Sequence, residues 1–278
     1  MEILLDTIID NLKLFPFLFI TYLCLEYMEH KTADRVTAVI SKAKFSGPFL
    51  GGVCGLLPQC GFSVAATNFY AARVIGLGTL LAIYLSTSDE MLPIFISQAV
   101  SPLLISKILL YKTLCAVIFG YMLMFISTKY QQPRAINIEQ LCENENCHCE
   151  EGIVRPALHH SVNIAVFIFA ISLCLNYAMG FFDIGIMSEY LQIPLIGEMI
   201  SGLIGLIPNC SPSVILTQLF LDGYISVNAL IGGTMVNAGV GLLVLFRVNR
   251  FFGENVKIIA VLYVCGVIGG LCSNFFNF

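Results

Sequence analysis

The chain has 278 residues, 58% of them hydrophobic and 12% charged, about half the charged share of roughly 25% usual in a soluble domain. Its formal charge of −4 offers no basic surface to a phosphate backbone, which argues against nucleic-acid binding. No G-x-x-x-x-G-K-[ST] occurs, which excludes a built-in P-loop ATPase.

Uncharged runs at 45–72, 161–182, 199–221, 223–246 and 258–278 each reach the roughly 20 residues a helix needs to cross a bilayer. The expected fold is therefore an all-α membrane protein. The first apolar stretch follows Glu2, Asp6 and Asp10 rather than Lys or Arg, so it reads as a retained helix and not as a cleaved signal peptide. In chain order the pattern predicts an opening helix (8–29), a Gly-rich segment interrupted at Pro58-Gln59-Cys60 (45–72), a third segment broken at Ser86–Glu90 (74–101) and a closing helix (103–128). After a polar linker come a helix (160–180), a segment interrupted at Pro208-Asn209-Cys210 (195–221), a third segment (224–246) and a closing helix (256–276). Proline cannot sit inside an unbroken helix, because it lacks the donor and clashes one turn back.

Shifting the sequence against itself by 150 positions aligns 52–67 with 202–217 without a gap. Gly52, Gly55, Leu56, Pro58, Cys60, Ser63, Val64 and Thr67 recur as Gly202, Gly205, Leu206, Pro208, Cys210, Ser213, Val214 and Thr217. The chain thus divides into a first repeat (1–128), a linker (129–157) and a second repeat (158–278). Basic residues alternate between matching loops. Lys31, Arg35, Lys42 and Lys44 face Asp183 and Glu189 in the other half, and Arg247, Arg250 and Lys257 face Lys107. Because Lys and Arg collect on the cytoplasmic side, this sign change predicts an inverted-topology repeat transporter with broken or re-entrant helices and a cytoplasmic linker. Whether each Pro-x-Cys segment is a hairpin or one broken crossing stays open at this level.

Non-helical backbone at membrane depth is tolerated only against protein or a wet cavity. The interruptions therefore define the expected substrate site. It comprises Gln59, Cys60, Ser63 and Thr67 from one half, and Asn209, Cys210, Ser211, Ser213, Thr217 and Asn237 from the other. Pro58, Pro208, Gly55 and Gly205 shape the breaks, and Cys60, Ser63 and Thr67 share one helical face. Asp89 and Glu90 have no acidic match in the second half, and an intramembrane carboxylate marks an ion pathway, so they are the expected coupling residues. Eight of the eleven cysteines lie in apolar runs. The other three, Cys142, Cys147 and Cys149, join His148 in the linker, where thiolate and imidazole suit soft cations. The expected metal ligands are thus Cys60, Cys210, Asp89, Cys142, Cys147, His148 and Cys149. No histidine is placed inside an apolar run and no H-E-x-x-H occurs, which argues against an enzyme.

At these residues the chain resembles the bacterial ten-transmembrane heavy-metal exporter family, whose members are also described as manganese or arsenic efflux permeases. The resemblance is carried by Gly-x-x-Pro-x-Cys at Gly55–Cys60 and Gly205–Cys210, and by Cys147-His148-Cys149 running into Gly152-Ile153 and Ala157-Leu158-His159-His160. It implies a multi-pass metal efflux permease of the inner membrane. The chemistry leaves the metal open: two thiols favour a soft species such as arsenite, whereas Asp89, Gln59 and Asn209 favour Mn²⁺. The expected function is a secondary transporter exporting a divalent or thiophilic metal by alternating access, exchanging protons at Asp89 or Glu90. It needs no obligatory cofactor, its partners are the metal and the bilayer, and it is compatible with a homo-oligomer. The alternatives are a transporter of a small organic solute or anion, and a membrane metal sensor reporting through the linker.

Overall fold

The computed structural model describes residues 45–56, 60–88, 90–130, 154–179, 191–249 and 251–276, with scattered positions before residue 24, and every regular element among them is helical. Helices α1 (Gly47–Cys54), α2 (Cys60–Ala71), α3 (Leu77–Ser86), α4 (Met91–Ser97) and α5 (Pro102–Tyr130) precede the linker. Helices α6 (Val154–Met179), α7 (Ile196–Gly205), α8 (Ser211–Leu221), α9 (Val227–Val236), α10 (Gly241–Val248) and α11 (Phe252–Cys272) follow it. At the 150-residue offset α3 coincides with α9, and α4 and α5 start where α10 and α11 do. The linker residues Cys142, Cys147, His148 and Cys149, together with Gln59, Pro58 and Asp89, lie outside the described residues.

The described residues form a membrane-spanning helical bundle. Four stretches are long and apolar enough to cross a bilayer: Leu77–Ser97, Pro102–Ile126, Val227–Val248 and Phe252–Phe275. Two of them contain an interruption, α3 to α4 and α9 to α10. On α5, Leu110, Leu114, Ile118 and Met122 are exposed at four-residue spacing, an apolar stripe that suits lipid. On the inner side lie Ile108, Tyr111, Ala116 and Leu123, in a core shared with Leu80, Leu81, Tyr84, Leu230, Ile231, Met235 and Leu262.

Small residues let these helices approach to backbone contact. A Cβ on Gly78 would overlap the Gly120 carbonyl oxygen, and at the matching position a Cβ on Gly270 would lie 2.8 Å from the Asn228 carbonyl oxygen. The same packing therefore recurs in both halves. A second cluster joins Val64 of α2 and Ala72 just after it to Val240, Leu243 and Val244 beside and within α10, with Ala157, Ala165 and Ile168 of α6.

The expectation of an unbroken third segment at 224–246 is corrected. The helix stops at Val236 and restarts at Gly241. Asn237 Oδ1 accepts from the Gly239 amide, closing an Asx turn, and Gly239 has φ +54°, a conformation glycine adopts without steric penalty.

Candidate substrate site

The breaks between α1 and α2, between α3 and α4, between α7 and α8 and between α9 and α10 are linked by a chain of contacts. A Cβ on Gly55 would overlap Ser86 Oγ and come within 2.7 Å of the Ile83 carbonyl oxygen, which ties the first interruption to the second. Gly205 stands in the same way against the Gly233 carbonyl oxygen and Val236, and Gly233 and Val236 are the repeat counterparts of Ile83 and Ser86. The halves meet where a Cβ on Gly241 would lie 2.9 Å from Ser63 Cβ.

Polar side chains gather along these contacts. Ser63, Thr67, Asn68, Ser86, Thr87, Ser88, Asn209, Ser213, Thr217, Thr234 and Asn237 are all buried. The Thr67 hydroxyl lies on the Ser63 carbonyl oxygen at 2.6 Å and in hydrogen-bond contact with the Tyr84 hydroxyl. Tyr84 also reaches the Gly241 carbonyl oxygen at 3.3 Å. In the second half Thr217 donates to Ser213 at the same 2.6 Å, but Tyr84 is replaced by Thr234, which turns back onto Leu230. Asn209 Oδ1 accepts from the Cys210 amide, and its Nδ2 reaches Ser211 Oγ at 3.3 Å, which shapes the approach to α8. Asn68 Nδ2 and Asn237 Nδ2 are buried without a hydrogen-bond partner among the described residues, so each has donor capacity left for a ligand or water.

Of the expected metal ligands, Cys210 is partly buried and packs with the cluster holding Val64 and Val240. The side chain of Cys60 lies outside the described set, although its backbone opens α2. Glu90 is half-buried just before α4. Among the described residues no three His, Cys, Asp or Glu side chains gather as a metal cluster.

Two buried ionisable side chains escaped the sequence reading. Lys112, wholly buried on α5, donates from Nζ to the carbonyl oxygens of Thr87 at 2.7 Å and Thr234 at 3.3 Å. It stands ten residues, about 15 Å, into the apolar stretch Pro102–Ile126, which is long enough to cross a bilayer. Glu198 is buried on α7 with Oε2 lacking a hydrogen-bond partner among the described residues, one turn before Ser201 Oγ in the same state. The available signal for both was a single charge within or bordering an apolar run, which marks function by default.

Arg73, in the turn between α2 and α3, grips Glu254 at the start of α11 with two parallel hydrogen bonds of 2.8 and 3.0 Å, and the Tyr70 hydroxyl bonds the same carboxylate. The hydrogen bond to Glu254 holds the Arg73 guanidinium above even its usual basic range.

A family model described as "Putative, 10TM heavy-metal exporter" matches residues 114–271, from the middle of α5 almost to the end of α11. No curated protein and no solved structure matches the chain.

Proposed function

The chain belongs to the ten-transmembrane heavy-metal exporter family, which makes it a transport protein and not an enzyme, and from that membership we propose that it exports a thiophilic or divalent metal ion across a bacterial inner membrane by alternating access. What carries the proposal is that close contacts link the four helix breaks one to the next and that buried polar side chains flank them. Freed backbone groups, hydroxyls, amides and the thiols of Cys60 and Cys210 would there offer a mixed ligand set.

The re-entrant reading is supported by direction. Gly47 lies against Thr79, Gly51 against Thr79 and Ile83, and Gly55 against Ile83 and Ser86, so α1 runs alongside α3 in the same sense. Helix α2 therefore begins level with the end of α3, yet after five residues leads into its start. Those residues span at most about 3.5 Å each and are folded into turns. A hairpin that enters and returns fits this constraint, whereas a crossing would strand the loop on the wrong side.

The inverted reading is supported by which ends meet. Tyr70 and Arg73, at the end of α2, bind Glu254, just beyond the end of α10. Reciprocally, Phe220 at the end of α8 packs on Phe95 near the end of α4, with ring centroids 5.8 Å apart. In each half those two ends belong to opposite sides of the membrane, so their pairing across halves fits only if one half is turned over. Both halves then bend around a shared centre, and rocking one against the other would expose it to each side in turn.

The test is flux in proteoliposomes holding the full chain, with Mn²⁺, Zn²⁺, Cd²⁺ and arsenite offered separately. Transport of at least one species is expected, falling tenfold or more in C210S or C60S if the species is thiophilic, or in D89N if it is Mn²⁺. No movement of any of the four, or equal flux in all variants, would overturn the proposal.

A further inference from the structure

Lys112 is the strongest feature that the metal reading leaves unused. An ammonium at the bilayer centre is unfavourable by roughly 2.5–3.5 kcal/mol even on the lenient insertion scale, so its presence needs a compensating partner. The partners are specific. Thr87 is the residue at which α3 ends, and Thr234 lies in the last turn of α9, the repeat counterpart of α3. The last carbonyls of a helix are unsatisfied and carry its negative dipole end. Two such ends, one from each half, therefore form a cation site, and the Lys112 ammonium occupies it. The counterpart of Lys112 is Leu262, so the charge is present only once.

We propose that Lys112 is the proton-coupling residue of the transporter, a tethered cation that ties the ends of α3 and α9 when protonated and releases them when it gives its proton to water. This rests on the transport reading above. The step balances simply: the Nζ–H bond breaks, water takes the proton, a neutral amine remains, and reprotonation from the opposite side closes the cycle. Loss of the charge removes the attraction between Nζ and two helix ends that belong to different halves, so protonation is linked to how the halves sit. Lysine suits this role because an ammonium can hand a proton to water and leave a neutral amine, whereas a guanidinium stays charged.

The other titratable groups on elements packed around α5 do not duplicate it. Tyr84 on α3 is engaged by Thr67 and Gly241, and Tyr111 on α5 itself donates to the Gly269 carbonyl oxygen. Cys54 lies on α1, Cys115 on α5 and Cys265 on α11. Glu254 of α11 is held by Arg73, and α9 carries no titratable side chain. Glu90 follows the α3 terminus, and Asp89 beside it lies outside the described residues.

The experiment uses the full chain in liposomes and reads two quantities. The first needs no substrate: the alkylation rate of Cys210 at the 206–210 interruption relative to exposed Cys54 in the same sample, from pH 6 to 9.5, by peptide mass spectrometry. The wild-type ratio is expected to change at least threefold, and K112R to flatten it. A flat wild-type ratio, or an undiminished change in K112R, overturns the proposal whatever metal is carried. The second is accumulation of the transported metal driven by a pH gradient, divided by its exchange at equal pH. That quotient is expected to fall tenfold or more in K112R and K112M, and a wild-type quotient in K112R overturns the proposal. If the wild-type chain moves none of the four metals while its thiol ratio still depends on pH and on Lys112, the metal reading fails and the coupling role stands.

Discussion

The two halves of the molecule share a scaffold and differ in their charges. Backbone contacts repeat at the 150-residue offset: Gly55 packs against Ile83 and Ser86 as Gly205 packs against Gly233 and Val236. Most charged groups do not repeat, Lys107 and Lys257 being a pair that does. Lys112 stands opposite Leu262, Glu198 opposite Pro48, Arg73 opposite Gly223 and Glu254 opposite Leu104. Close packing of small residues is what a duplicated helix bundle preserves, whereas the energetic asymmetry that a coupled cycle needs is carried by a few charges, each present in one half only.

The contrast at Arg73 and Gly223 illustrates this. Both adopt a left-handed backbone, φ +62° and +79°, but only glycine does so without steric penalty. The first half tolerates an unfavourable arginine conformation at that turn, and in return the guanidinium binds Glu254 in the opposite half.

The comparison can be broken most severely at the shared packing. Gly205→Ala would drive a methyl into the Gly233 carbonyl oxygen. A loss of about 2–3 kcal/mol is expected, at the upper end of overpacking effects, measured as a fall in the unfolding temperature in detergent. Gly253→Ala, with nothing within 4 Å of the added carbon, should change stability by less than about 0.5 kcal/mol. Equal effects would mean that the close approach of α7 to α9 is not structural.

The Arg73–Glu254 pair comes next. Glu254→Gln leaves the left-handed turn strained and removes a charge-assisted bidentate contact, so a loss of about 1–3 kcal/mol is expected in thermal unfolding. Arg73→Gly copies the second half and relieves the strain, so it should be milder by about 1 kcal/mol. An Arg73→Gly variant as damaged as Glu254→Gln would show that strain at this turn is negligible.

The smallest effect separates the two threonines. Thr67→Val removes hydrogen bonding that links α2 to Tyr84 of α3 and lies beside Gly241 of α10, with about 1–2 kcal/mol expected. Thr217→Val removes only a bond within α8, and should stay below about 1 kcal/mol. The difference between the two unfolding temperatures is the readout.

Much of this arrangement was legible in the residues themselves. The 150-residue offset aligns α3 with α9 and the starts of α4 and α5 with those of α10 and α11, and Pro208 marked the break before α8 because proline cannot donate to the helix ladder. The break at 237–240 was missed because it is made by Asn237 and Gly239, which carry no charge and lower the local hydropathy little, so an apolar run reads straight through them. Lys112 was overlooked for a related reason. A single lysine is averaged away among Leu109, Leu110, Leu114 and Ala116, and only the structure places two helix ends against its ammonium. Cys60 and Cys210 were proposed from their recurrence at the 150-residue offset, which carries no information on the distance between them.

Sidedness tests the central claim, two halves turned over relative to each other, most directly. Gly76 and Asp222 are exposed and occupy nearly matching positions, after α2 and after α8. In right-side-out vesicles, Gly76→Cys and Asp222→Cys should react with a membrane-impermeant maleimide from opposite faces, beyond the labelling of the native thiols. Labelling of both from the same face would contradict the account.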